Sequence, residues 1–273
     1  MKEIFFTNVN FNGNAGDFWC TPIKYYNFDG YKINHIHFMD FWEAVNGNEK
    51  YSHLLLKDRL IIIGGGGLLT TQDDFLQRTT EYLVMNNKVI FWGVGSNTFK
   101  TPSYDILFHP NVLLAGIRDI VNGLNINYLP CVSCKHILFD KQYETKNSIG
   151  VIEHPRHMID IKGSPKINNQ SSIQEIVDFL GSNSKIISST YHGVYWSQLL
   201  EKEVMYFKTS EIVNSKIMNM KHRVTICDES DYSEKIENIS SAKGMLKESR
   251  KLNDEFYKQT MMVVSDFFEI KSN

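Results

Sequence analysis

Residues 185–202 read KIISSTYHGVYWSQLLEK. The apolar KII has the look of a short buried strand. Ser188, Ser189 and Thr190 are residue types whose side-chain oxygens accept the orphan amides of a first helical turn. Tyr191, Val194, Tyr195 and Leu199 then recur at helical spacing. The segment reads as strand, tight turn and helix, with His192 in the opening turn. The free N–H groups and the positive dipole end of such a turn form an anion site. A plainly capped helix would use the same residue types, so the rest of the chain has to decide between them.

Outward from this unit the same alternation repeats. KEIFFTNV, YKINHIHF, RLIII, KVIFWGVG, VLLAGIRD and NINYLPC read as strands, with helices expected over DFWCTPIKYYNF and DDFLQRTTEYLVMNN. After a polar, unpatterned DKQYETKNS the pattern restarts with SIGVIEH, the helix SSIQEIVDFL, KIISS, EVMYF and RVTICD. From about Tyr232 the chain is helical, and KLNDEFYKQTMMVVSDFFEI makes a long amphipathic helix. Alternating strands and helices imply βαβ units around parallel sheets. The expectation is an α/β protein of two Rossmann-type domains, residues 1–143 and 144–273, whose parallel sheets face a cleft, with the C-terminal helix packing across. Ligands of open α/β sheets bind beyond the carboxyl ends of the strands.

Composition narrows the function classes. In 273 residues, 29 basic and 31 acidic side chains give a net charge of −2, which offers no long-range attraction to nucleic acid. No apolar run approaches the ~20 residues of a membrane span, and the start MKEIFFTNVNFNGNAGD lacks the pattern of a secretory signal. The reading is a cytoplasmic protein without membrane insertion. Cysteines at 20, 131, 134 and 227 are too scattered for a disulfide scaffold. Cys131 and Cys134 form a C-x-x-C, but no second pair supplies zinc ligands, and the following KHILFD reads as extended. Structural thiols, no metal and no cofactor are expected.

The polar residues gather at strand ends. Asn14, Gly16 and Asp17 follow the first strand, and Asp17 precedes a helix. Gly64, Gly65, Gly66 and Gly67 follow RLIII, where bare backbone could approach a phosphate or sugar closely. Gly93, Gly95 and Ser96 end the next strand, and Arg118 and Asp119 end the one after. An arginine there can hold a carboxylate or phosphate through two parallel hydrogen bonds, or pair with Asp119. Glu153, His154, Arg156 and His157 follow the first strand of the second domain. Glu153 or His154 would serve as acid or base and Arg156 as an anion ligand.

In this order the pieces resemble the polysaccharide pyruvyltransferase family, over residues 8–207. Asn14, Gly16 and Asp17 are similar to the family's first-loop N-x-G-D, and Gly64–Gly67 to its glycine loop. Gly93 and Gly95 correspond to its G-x-G, and Arg118 and Asp119 to its R-D. Ser188 through Gly193 is similar to its S-x-R-x-H-G signature. Two positions depart: Thr190 stands where the family has arginine, and Asn122 where it has serine.

The resemblance implies a GT-B-like fold and transfer of a pyruvyl group from phosphoenolpyruvate to two hydroxyls of a sugar or lipid-linked oligosaccharide, forming a ketal of a cell-surface polysaccharide. His192, Arg118, Asp17 and Glu153 would then be the reacting or anion-binding groups, with His192 as the acid. Ser189, Thr190, Tyr191, Gly193, Arg156 and His154 would surround the donor. Asn14, Gly16, Gly64, Gly65, Gly66, Gly67, Gly95 and Ser96 would form the acceptor loops. Two other functions fit the same strand ends: a GT-B-type glycosyltransferase using a nucleotide-activated sugar, and a non-catalytic sugar-binding relative.

Overall fold

A computed structural model describes residues 2–10, 13–71, 74–211 and 213–271. Its strands are β1 (Glu3–Asn8), β2 (Lys32–His37), β3 (Leu60–Ile63), β4 (Gly66–Leu69), β5 (Lys88–Ser96), β6 (Val112–Ile117), β7 (Asn127–Tyr128), β8 (Asn147–Glu153), β9 (Lys166–Asn168), β10 (Asn183–Ser188), β11 (Glu203–Phe207) and β12 (Thr225–Cys227). The helices are α1 (Ala15–Phe18), α2 (Phe38–Val45), α3 (Phe75–Asn86), α4 (Ile173–Gly181), α5 (Tyr191–Leu199), α6 (Ser215–Met218), α7 (Tyr232–Lys235) and α8 (Met245–Ile270).

Two separate sheets form, and every pairing between these strands is parallel. The first runs β2-β1-β3-β5-β6-β7, with β4 also on β5; the second runs β12-β11-β10-β8-β9. The chain is therefore an α/β protein with two parallel, Rossmann-like sheets. No helix among the described residues is long and apolar enough to cross a membrane.

Strand alternation explains the layers, because successive side chains face opposite sides of a sheet. Phe5, Ile61, Ile63, Val89 and Phe91 share one face and pack with Phe38 and Phe41 of α2 and Leu83 and Val84 of α3. Ile4, Phe6, Leu60, Ile62, Ile90 and Trp92 share the other and pack with Phe256 and Val264 of α8. In the second sheet Ile152, Ile186 and Val204 pack with Val177 and Leu180 of α4 and Val194 and Trp196 of α5. Its other face carries Val151, Ile187 and Met205 under Ile159, Ile161, Ile236 and Ile239. The Met245 end of α8 joins the second sheet's cluster, so this helix packs across both sheets.

Four local expectations are corrected. DFWCTPIKYYNF forms only α1 and a single 3-10 turn at Pro22–Lys24. Pro22 has no amide to donate, and the sheet face a longer helix would cover is taken by α8, against which Tyr26 stacks on Tyr257 at 4.6 Å. The glycine run is not all loop, since Gly66 and Gly67 open β4. KHILFD is not extended: Ile137–Asp140 form a 3-10 turn capped by His136 Nδ1. The helix over Phe38–Val45 stands in a stretch where no helix was expected.

Candidate functional site

Strands from both sheets point their carboxyl ends at one cleft, a cavity of about 700 Å³. On one side α5 begins. Thr190 caps it by accepting the Gly193 amide at 3.0 Å, and its own amide donates to Ser188 Oγ at 3.0 Å. A β-carbon at Gly193 would overlap Ser188 Oγ and Thr190 Oγ1, which is why glycine stands there. The cap leaves the Tyr191 and His192 amides without an intrahelical acceptor. Ser189 Oγ accepts the His154 amide at 3.1 Å and ties the loop after β8 to this turn.

On the other side stands Arg118, at the end of β6. It is only 4 % exposed, and its guanidinium carbon lies 3.9 Å from the Tyr191 ring centroid. Its Nε is buried without a hydrogen-bond partner among the described residues. Pairing with Asp119 does not occur, because Asp119 Oδ2 accepts the Ser96 amide at 2.7 Å and the Tyr104 hydroxyl at 2.8 Å. Burial first of all pushes the Asp119 carboxyl pKa up, against the opposing pull of Arg118. A β-carbon at Gly95 would overlap Arg118 Nε and Cγ, so that glycine makes room for the arginine rather than for a ligand.

The two halves are joined at the cleft. Asn14 caps α1, and its Nδ2 donates to Asp17 Oδ2 at 2.9 Å. The Ala15 amide donates to the Asn169 carbonyl at 2.9 Å. Gly16 lies against the His192 ring so closely that a β-carbon would overlap Nδ1, Cγ and Cε1. Across the cavity the Ser215 amide donates to the Thr98 carbonyl at 2.9 Å, and Asn214 Nδ2 donates to Asn97 Oδ1 at 3.2 Å. Asn214 also caps α6, which carries Lys216 into the cavity wall.

Asn14, Asp17, Gly67, Arg118, His154, Arg156, Ser189, Thr190, Tyr191 and His192 all line the cavity. Among the described residues Gly16, Gly64, Gly65, Gly66, Gly95, Ser96, Glu153 and Gly193 do not. Glu153 is corrected as an acid or base, since its Oε2 accepts the Ile159 amide at 2.7 Å and holds the following loop. Gly64 and Gly65 are corrected as ligand-approaching backbone. Their amides donate to the Thr7 and Cys20 carbonyls, and a β-carbon on either would crowd Cys20. Ser96 is wholly buried with its amide on Asp119.

His192 lines the cavity in surroundings that disfavour its charged form. It is 7 % exposed, and burial pushes its pKa well below the ordinary 6.5, with Arg118 and Lys216 adding to the effect. A neutral imidazole serves as a hydrogen-bond donor or acceptor instead. Cys131 and Cys134 are buried free thiols, and no group of three His, Cys, Asp or Glu able to hold a metal ion occurs among the described residues.

Lys216, Asn97, Asn169, Asn214, Tyr206 and Thr209 also line the cavity and were not read from the sequence. Lys216 lies in a four-residue helix with no glycine or strand end beside it, so no local pattern marks it. Burial, reinforced by Arg118 and opposed by Asp17, pushes its pKa down to about 8. Arg118, Arg156 and Lys216 have no ion pair among the described residues, whereas the cavity's acids Asp17 and Asp74 are held by Asn14 and the Leu76 amide. The lining thus favours an anionic ligand.

No family model matches this sequence, and no curated protein matches it. Among solved structures the fold is similar to that of a functionally uncharacterized protein from Klebsiella pneumoniae subsp. pneumoniae NTUH-K2044, at 15 % identity and a TM-score of 0.45, covering 80 % of this chain and 88 % of that one.

Proposed function

We propose that the cleft binds a small anionic donor, phosphoenolpyruvate, and transfers its pyruvyl group to two hydroxyls of a sugar acceptor in the cytoplasmic assembly of a cell-surface polysaccharide. The sheets would then be the two halves of a GT-B-like fold. The observation that carries this reading is Arg118: a buried guanidinium that, among the described residues, has no ion pair and an unpartnered Nε, opening on a cavity it shares with two further cations. A desolvated, unpaired charge is costly to keep without a ligand to meet it.

The reaction converts the donor's methylene to a methyl group and replaces its phosphate ester by two sugar oxygens. One hydroxyl proton ends on carbon and the other leaves with phosphate. Arg118 suits the planar carboxylate through two parallel hydrogen bonds. Lys216 and Arg156, with the first amides of α5, suit the phosphate and supply the positive charge missing at Thr190. Asp17 lines the cavity, as Glu153 does not, and would take a hydroxyl proton.

The size of the cavity favours a second reading. About 700 Å³ exceeds what a three-carbon phosphate fills, and Phe75, Phe99 and Tyr206 line it. A nucleotide-activated sugar would use that space, where the first reading seats the acceptor.

Calorimetric titration of phosphoenolpyruvate and of nucleotide sugars, followed by a mass-read transfer assay on an oligosaccharide acceptor, separates the readings. Phosphoenolpyruvate binding that is lost in Arg118→Lys, together with a pyruvyl mass increment, supports the first. A glycosyl increment supports the second. Binding of oligosaccharide alone points to a non-catalytic sugar-binding protein.

A further inference from the structure

His192 sets one ring nitrogen against a buried thiol, and the other makes no hydrogen bond among the described residues. Its Nε2 lies 3.5 Å from Cys131 Sγ. Cys131 Sγ lies 3.2 Å from Ser133 Oγ, and Ser133 Oγ accepts the Trp196 indole N–H at 3.0 Å. Trp196, Ser133 and Cys131 are all buried, so each hydrogen in this chain has to be placed within it.

The indole can only donate, which fills one lone pair of the Ser133 hydroxyl. The hydroxyl's own hydrogen then has one acceptor among the described residues, Cys131 Sγ. With that hydrogen on the sulfur, the thiol hydrogen is left with the imidazole Nε2 as its acceptor. Burial keeps the thiol protonated by pushing its pKa up, and keeps the imidazole neutral by pushing its pKa down. A neutral imidazole that accepts at Nε2 carries its proton on Nδ1. With the Ser133 hydroxyl donating to the sulfur, the reverse arrangement, Nε2–H aimed at sulfur, would leave the buried S–H with no acceptor among the described residues.

The chain is held at both ends. The Tyr195 hydroxyl donates to the Cys131 carbonyl at 2.7 Å and fixes the backbone that carries the thiol. Gly16 lies against the ring on the Nδ1 side, while His192 lines the cavity. Nδ1 has no hydrogen-bond partner among the described residues.

We propose that Cys131 is a positioning residue that holds His192 in its Nδ1–H tautomer, so that the imidazole meets the bound ligand as a hydrogen-bond donor. The donor role rests on the reading of the cleft as an anion site; the tautomer does not. A fixed donor beside Arg118 matches a phosphate or carboxylate oxygen and disfavours a ligand group that must itself donate.

Nitrogen-15 spectra of histidine-labelled, ligand-free protein test the tautomer, with the His192 signals assigned by their loss in His192→Gln. The expected wild-type pattern is a protonated Nδ1 and a bare Nε2, kept in Cys131→Ser, whose hydroxyl can still donate. Cys131→Val, which has no donor, should move the proton to Nε2 or divide it between the nitrogens. Phosphoenolpyruvate affinity should fall about tenfold in Cys131→Val, as expected for one weakened hydrogen bond to a charged group, and stay within about threefold in Cys131→Ser. A bare Nδ1 in wild type, or an unchanged tautomer in Cys131→Val, overturns the proposal. Should Cys131→Val not fold, the wild-type pattern alone still decides. A correct tautomer without any anion binding would refute the anion-site reading and, with it, the donor role.

Discussion

The Arg118 guanidinium carbon sits 3.9 Å from the centroid of the Tyr191 ring, while Asp119, next to it in sequence, turns its carboxylate to the Ser96 amide and the Tyr104 hydroxyl. Among the described residues the arginine stacks on a π face and forms no ion pair, although the nearby Asp119 favours its charged form. Such contacts contribute about 0.5–2 kcal/mol, less than a buried charge loses by leaving water.

Arg118→Met should therefore change the melting temperature little, because an apolar side chain of similar volume removes a desolvated charge while the buried Asp119 loses the pull that favours its charged form. The same variant should bind phosphoenolpyruvate or inorganic phosphate at least 100-fold more weakly, about 2.7 kcal/mol. Thermal melts beside calorimetric titration test both halves. A large drop in melting temperature would show that the arginine is structural.

Gly16→Ala puts a methyl group into the His192 ring. Overpacking of this kind costs about 1–3 kcal/mol. Relief by pushing the first loop from α5 would misplace Asp17 by about 1 Å, enough to cost roughly 100-fold in rate. Gly163→Ala meets no atom within 4 Å but has a φ of +77°, so it controls for stability loss remote from the cavity. Transfer rates of the two variants, compared at matched folded fraction, should differ widely.

Lys216 gives the site a pH dependence. Its charge is lost as pH rises through about 8, so anion affinity should fall across that range and become flatter in Lys216→Met. Stability should move the other way. The unfolded lysine keeps its ordinary 10.5, so between about 8 and 10.5 the unfolded chain holds more protons and this group's contribution to stability rises with pH. Phosphate titrations and urea melts at pH 7, 8 and 9 check the two trends.

Asn253→Ala should destabilise the protein by about 2–4 kcal/mol, since it strips partners from buried polar groups. Asn253 Oδ1 accepts the Trp92 indole N–H at 2.9 Å, and its Nδ2 donates to the Pro130 carbonyl at 3.1 Å. Chemical denaturation should show the loss, with little change in ligand affinity per folded molecule.

The apolar strands were legible because buried parallel strands are near-continuous runs of branched residues, as in RLIII and KVIFW. Ser188–Gly193 was legible because a cap must sit next to the turn it caps. Residues acting at a distance were not. Nothing near Pro22 says that α8, more than 200 positions away, takes the sheet face its segment leaves bare. Glu153 and His154 are adjacent in sequence, yet one braces a loop and the other faces the cavity. Gly64 to Gly67 are four identical letters with separate duties: two accommodate Cys20, and Gly67 reaches the cavity wall.

The cover that α8 gives to Ile4, Phe6, Leu60, Ile62, Ile90 and Trp92 is also a matter of timing. A ribosome completes the last strand of the first sheet at Tyr128, and Phe256 emerges about 130 residues later, a delay on the order of ten seconds at roughly 5–20 residues per second. Through that interval the nascent first half lacks the share of its apolar cover that α8 supplies, with only residues such as Phe28, Leu129 and Val132 against that face. Slower translation lengthens the period in which that face is without its helix.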